Sequence, residues 1–157
     1  MDLDRYFTWL AFNSLVENAD SRNEFFLCEE RADGALWGRL NLVAWDYDDV
    51  QQSPTRPAEI LEDPLLYACK MHLDFVIAKD EWLYERYKDE LRRLLREVMR
   101  ERKLAVTLED VLKTINRIGS GFPTDVQRTA RLQREGAMAT FQARLLARRQ
   151  ALLQLLD

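Results

Sequence analysis

NADSRNEFFLCEERADGALWGRLNLVAWDYDD, residues 18–49, is the stretch whose reading decides the fold. It opens with a polar loop, Asn18 to Asn23. Glu24 to Glu30 and Leu36 to Trp45 then read as strands, joined by a turn at Asp33-Gly34, a common hairpin signal. In the second strand Leu36, Gly38, Leu40, Leu42 and Ala44 share one face. Trp37, Arg39, Asn41, Val43 and Trp45 share the other, so both faces are partly apolar and the hairpin is expected to pack on both sides. A burst of acids follows at Asp46, Asp48 and Asp49.

Outward from the hairpin the pattern turns helical. On its N-terminal side Asp4 to Val16 carries Tyr6, Phe7, Leu10, Ala11 and Leu15 at helical spacing. On its C-terminal side Val50 to Asp63 reads as a loop, because Pro54 and Pro57 interrupt any ladder or helix. Pro64, with Asp63 as cap, predicts a helix running to about Ala78. A second covers Lys79 to Lys103, with Leu83, Tyr87, Leu91, Leu94, Leu95 and Val98 on one stripe. Thr107-Leu-Glu-Asp resembles a capping box and predicts a third helix ending near Gly119. Thr124 or Asp125 caps a fourth, and a last helix spans about Met138 to Leu156 with Phe141, Leu145, Leu152 and Leu156 aligned. The expected class is α+β and mostly α, a short hairpin followed by a helical bundle. The 157 residues form a single domain, with a candidate segment at 1–50 and a helical part at 64–157.

Composition excludes several classes. The net charge of −4 argues against nonspecific nucleic-acid binding, and acids interleave the basic run Arg92 to Lys103. No apolar run reaches membrane-spanning length, so no membrane partner is expected. The start, MDLDRYFTWL, carries acids where a signal peptide carries a basic region. Two cysteines, Cys28 and Cys69, do not make a disulfide framework; a reduced cytoplasmic protein is the expectation, with both thiols as packing residues. His72, the only histidine, reads as structural rather than catalytic.

The acids suggest a chemistry. Phosphoryl transfer needs hard oxygen ligands for magnesium and one carboxylate near the attacking hydroxyl. A protein kinase presents a catalytic-loop Asp and Asn, a strand pair, and then a metal-binding Asp. Asp20 and Asn23 stand before the hairpin here, and Asp46 and Asp48 stand after it. Each has a plainer reading. An Asp beside a strand is commonly a turn or helix cap, and close carboxylates can form an ordinary solvated loop.

The ordered set resembles the catalytic segment of the CotH family, the spore-coat protein kinase H group. The matching elements are Asn18-Ala19-Asp20-Ser21, Gly34-Ala35-Leu36-Trp37 and Trp45-Asp46-Tyr47-Asp48. DPLLYACK, EWLYERYKDELRRLL, LEDVLKTINRI and FQARLLARRQALLQLL follow in the family's order. The resemblance implies an atypical protein-kinase fold that transfers phosphate from ATP, with Mg2+, to serine of coat-type proteins. It implies Asp20 as the catalytic-loop acid, Asp46 as principal magnesium ligand, Asp48 as a supporting acid and Asn23 as the catalytic-loop Asn. Asn23 departs from the pattern: it follows Asp20 by three residues where a usual kinase loop has five.

The larger departure concerns phosphate binding. A kinase grips the phosphates with a Gly-rich strand lid and a Lys. Here the five glycines are scattered, and no Lys occurs before Lys70. The resemblance is therefore to the C-terminal lobe only, and the chain alone is expected to be inactive. Asp20 and Asp46 are expected within about 10 Å of each other. The partners expected are a protein substrate or the missing N-lobe, with a homodimer as the alternative cover for an apolar hairpin face. A noncatalytic helical interaction module is the competing function.

Overall fold

A computed structural model describes residues 2–18, 25–31, 33, 38–44, 50–51, 63–67, 71–118 and 124–157. Helix α1, Leu3–Val16, lies at the centre. Asp2 caps it by accepting the Arg5 N–H at 3.2 Å. The expected stripe of Tyr6, Phe7, Leu10, Ala11 and Leu15 is buried, and so are Trp9, Asn13, Ser14 and Val16. A helix buried nearly all round is a core element rather than a surface one.

Strands β1 (Phe25–Glu30) and β2 (Arg39–Ala44) form an antiparallel pair in the register Phe25–Ala44 to Glu30–Arg39. Asp33 lies in a turn between them. Gly38 is there because there is no room for more: an added Cβ would stand 2.5 Å from the Glu29 Cγ and 2.7 Å from the Glu30 carbonyl oxygen. The pair docks on α1 through Phe25, whose ring meets Trp9 edge-on at 5.1 Å, and through buried Leu42. The α1 start is tied back to β2, the Asp2 N–H donating to the Leu40 carbonyl at 2.9 Å. Among the described residues the outer face of the hairpin is covered only in part: Asn41 on it is buried. Phe26 and Val43, paired on the outer face, are 55% and 46% exposed. Cys28 shares that face and is exposed, so it is not a packing residue; Cys69 lies outside the described residues.

Several helix boundaries differ from expectation. No helix starts at Pro64: residues 63–67 form turns, and α2 spans His72–Lys79. Asp63 caps a turn instead, accepting the Leu65 N–H at 2.8 Å and the Tyr84 hydroxyl at 2.7 Å. The backbone of this turn is bonded to other elements rather than within a helix: the Pro64 carbonyl accepts from Arg148, the Leu65 carbonyl from the Tyr87 hydroxyl, and the Tyr67 N–H donates to Ser14 Oγ. His72 is exposed at the first position of α2 and is not packed into the structure.

The Lys79–Lys103 helix is broken in two. Helix α3, Glu81–Arg93, passes into a π turn at Leu94–Val98 and ends there. Leu94 and Leu95 are both buried within it, and the Met99 N–H donates to the Leu94 carbonyl at 2.8 Å, the five-residue bond of a π turn. The Leu95 carbonyl is satisfied from outside, by Arg149 Nε at 3.0 Å. Helix α4 runs Glu101–Ile118, so Thr107 does not start a helix but lies within one. Helix α5 is continuous from Thr124 to Leu156, with no boundary near Met138. Leu145, Leu152 and Leu156 are buried as the stripe predicts.

Gly136 lies inside α5 with nothing within 4 Å of where a Cβ would be. Gly136→Ala is expected to raise stability by about 1 kcal/mol, through helix propensity alone. That corresponds to roughly 2–4 °C in Tm. Thermal unfolding followed by circular dichroism checks it.

Candidate functional site

Asp20, Asn23, Asp46 and Asp48 all lie outside the described residues, as do Asp49, Trp37 and Trp45. The expected approach of Asp20 to Asp46 falls there too. What the structure fixes is where the two candidate segments are attached. Residues 19–24 join Asn18 to Phe25, and residues 45–49 join Ala44 to Val50. At one end Phe25 and Ala44 are register partners in the hairpin. At the other, Asn18 donates its N–H to the Asn13 carbonyl at 3.1 Å, and Gln51 donates its N–H to the Val16 carbonyl at 2.9 Å. Both segments therefore connect the open end of the hairpin to the C-terminus of α1.

That C-terminus buries polar groups beside the apolar Leu15 and Val16. Asn18 is fully buried and donates its side-chain amide to Asn13 Oδ1 at 2.8 Å. Asn13, also buried, donates its own amide to the Trp9 carbonyl at 2.8 Å. A buried amide is retained only when it is hydrogen-bonded, so the two Asn side chains lock each other in place. Gln51 adds a tie to α5, its Nε2 donating to the Phe141 carbonyl at 3.0 Å.

Backbone strain is concentrated at the same attachment. Among the described residues Glu17 and Gln51 are the non-glycine positions with positive φ, at 53° and 58°. Such conformations cost on the order of 1–3 kcal/mol each and persist where the surroundings enforce them. One precedes the first candidate segment and the other follows the second.

Arg148 of α5 clamps the assembly. Its Nε donates to the Ser14 carbonyl at 3.1 Å, and an Nη donates to the Pro64 carbonyl at 3.2 Å. Glu17 Oε1 lies 3.7 Å from Nε. Ser14 Oγ accepts the Tyr67 N–H at 3.0 Å, and the Tyr87 hydroxyl donates to the Leu65 carbonyl at 2.6 Å. Burial, helped by the Glu17 charge and opposed by Arg148, pushes the Tyr67 phenol above its ordinary value. It therefore stays neutral across the physiological range and supplies no charge to the site.

Among the described residues no group of three or more His, Cys, Asp or Glu could hold a metal ion, and Asp46 and Asp48 lie outside those residues. No helix among the described residues is long and apolar enough to cross a membrane. Sequence reasoning missed Asn13, Asn18, Gln51 and Arg148 as supports. Asn13 gave a signal: an amide in the middle of an otherwise apolar helix is expensive unless it has a designated partner.

A protein-family model described as CotH kinase protein matches residues 1–147. No curated protein matches the chain, and no solved structure does.

Proposed function

The chain belongs to the CotH kinase protein family, and from that premise we propose that it carries the carboxylate half of a phosphoryl-transfer site acting on protein serine. Asp20 accepts the proton of the attacking serine hydroxyl. Asp46 and Asp48 would hold Mg2+, and Asn23 would serve as the catalytic-loop Asn. The ion would supply positive charge to offset the phosphate oxygens of ATP, the donor of the γ-phosphoryl group. The serine Oγ–phosphorus bond forms as the bond from that phosphorus to the bridging oxygen of ADP breaks.

The observation that supports this reading is the shared attachment of the two acid-bearing segments. Both connect the hairpin's open end to the end of α1. Positioning is most of what a phosphoryl-transfer enzyme must do, and a rigid frame under both segments meets that need. The donor chemistry also fits, since clustered carboxylates suit a hard, small cation that keeps several waters.

The reading has a direct test in manganese binding, followed by paramagnetic broadening of the chain's NMR signals. Broadening centred on residues near 46 and abolished by Asp46→Ala is expected. The 157-residue chain should show negligible transfer from labelled ATP, because its sequence has no Gly-rich loop and no Lys before Lys70. Robust autophosphorylation lost in Asp46→Ala would mean that the chain contains a complete site and the half-site reading is wrong. Absence of metal binding would leave the second reading, a noncatalytic helical interaction module. The exposed apolar residues Phe26, Leu27 and Val43 favour that alternative.

A further inference from the structure

Helix α4 has an apolar side that its own fold covers only in part. Leu104, Leu108, Val111, Ile115 and Ile118 follow a four-three-four-three spacing, the repeat by which one helix packs along another. α5 covers one flank, where Leu112 and Asn116 are half-buried and Asn116 Oδ1 accepts Arg134 Nε at 3.1 Å. The stripe itself emerges along its length. Leu104 is 7% exposed, Ile115 38% and Ile118 75%.

The N-terminal end of this stripe opens into a cavity of about 820 Å3 whose walls include Phe12, Met99, Leu104, Leu108 and Phe141. A shallower cavity of about 370 Å3, lined in part by Thr107, Val111 and Ile115, continues it along α4. Cations also line the larger cavity: Arg100, Arg102 and Lys103. Arg100 Nε donates to the Arg96 carbonyl at 2.9 Å, and Lys103 Nζ to the Glu97 carbonyl at 3.4 Å. No carboxylate pairs with any of the three among the described residues, whereas Arg92, Arg93 and Lys113 nearby are all ion-paired. The α4 N-terminus adds positive potential at the same place.

We infer that this seam is the docking site for an acidic amphipathic helix of another protein. The partner's apolar stripe packs along Val111, Ile115 and Ile118 and fills the cavity, and its carboxylates meet Arg100, Arg102 and Lys103. A helix is favoured because the apolar surface is a long seam with heptad spacing rather than one closed pocket. Charge disfavours a second copy of this chain docked in parallel, because two α4 helices would then set one basic end against the other.

The test uses two labelled amphipathic peptides with leucine at the a and d heptad positions, one with glutamate and one with lysine at the polar positions. Fluorescence anisotropy against the full chain should show saturable binding of the glutamate peptide and at least about tenfold weaker binding of the lysine peptide, a difference of about 1.4 kcal/mol. Ile115→Asp should weaken the glutamate peptide by a similar factor. So should Arg100→Glu combined with Arg102→Glu and Lys103→Glu. These positions are on the surface, and circular dichroism verifies that the variants fold. No binding of the glutamate peptide, or equal binding of both peptides, overturns the inference. So does concentration-dependent dimerisation of the chain that Ile115→Asp abolishes.

Discussion

Leu152→Ala is expected to destabilise the protein by about 2–5 kcal/mol. Leu152 is fully buried on α5, one helical turn beyond the two arginines that fix this helix. Arg148 holds it to α1 and the 63–67 turn, and Arg149 holds it to the π turn. A helix pinned on two sides cannot move in to fill the space left by the lost side chain. The cavity term is then close to its full value, and the cost falls in the upper part of the range. Urea unfolding with an unchanged m-value and a lowered midpoint is the expected result. A loss below 1 kcal/mol would mean that α5 can shift after all.

Arg148→Met should cost about 2–3 kcal/mol and should also loosen the attachment of the candidate segments. Methionine keeps much of the packing volume but returns nothing to the Ser14 and Pro64 carbonyls, and hydrogen bonds from a charged donor are worth about 1.5–3 kcal/mol. The Glu17 interaction adds little, at 3.7 Å and partly in solvent. A double-mutant cycle with Glu17→Gln should therefore show weak coupling, below about 1 kcal/mol. Hydrogen exchange separates the local effect from the global one. Faster exchange at the Asn18 and Gln51 amides than the global loss explains is expected, because both amides depend on the end of α1 staying in place.

Much of the architecture was legible because it follows from spacing. The α1 stripe, the alternation in β2 and the run from Tyr87 to Leu95 are each fixed by where apolar residues recur. The misread boundaries came from local signals that tertiary packing overrode. Thr107-Leu-Glu-Asp has the form of a helix start, yet Leu104 and Leu108 continue one stripe straight through it. Asp63-Pro64 has the form of another start, yet the backbone groups that follow are taken up by Arg148, Tyr87 and Ser14 from other elements, and a turn forms there. The break at the Leu94–Val98 π turn had no punctuating Gly or Pro to announce it, and the Leu95 carbonyl there is bonded from the distant Arg149.

The candidate acids Asp20, Asp46 and Asp48 rest on residue type and order and lie outside the described residues; the family match spans them. Two of the supports at the attachment points, Arg148 and Gln51, were not found because they act at long sequence separation. Arg148 reaches Ser14 across the whole fold, and Gln51 reaches Phe141. No local pattern encodes such contacts.

The length of α5 has a hydrodynamic consequence. Thirty-three residues of helix measure about 50 Å. A compact chain of this size has a radius of gyration near 15 Å, hence a sphere about 39 Å across. A rod longer than the ball it belongs to must protrude from it, and the exposure of Val126 and Leu132 marks the protruding end. The molecule therefore drags more water than its 18.6 kDa suggests and should elute early on a sizing column, even where light scattering reports a single chain.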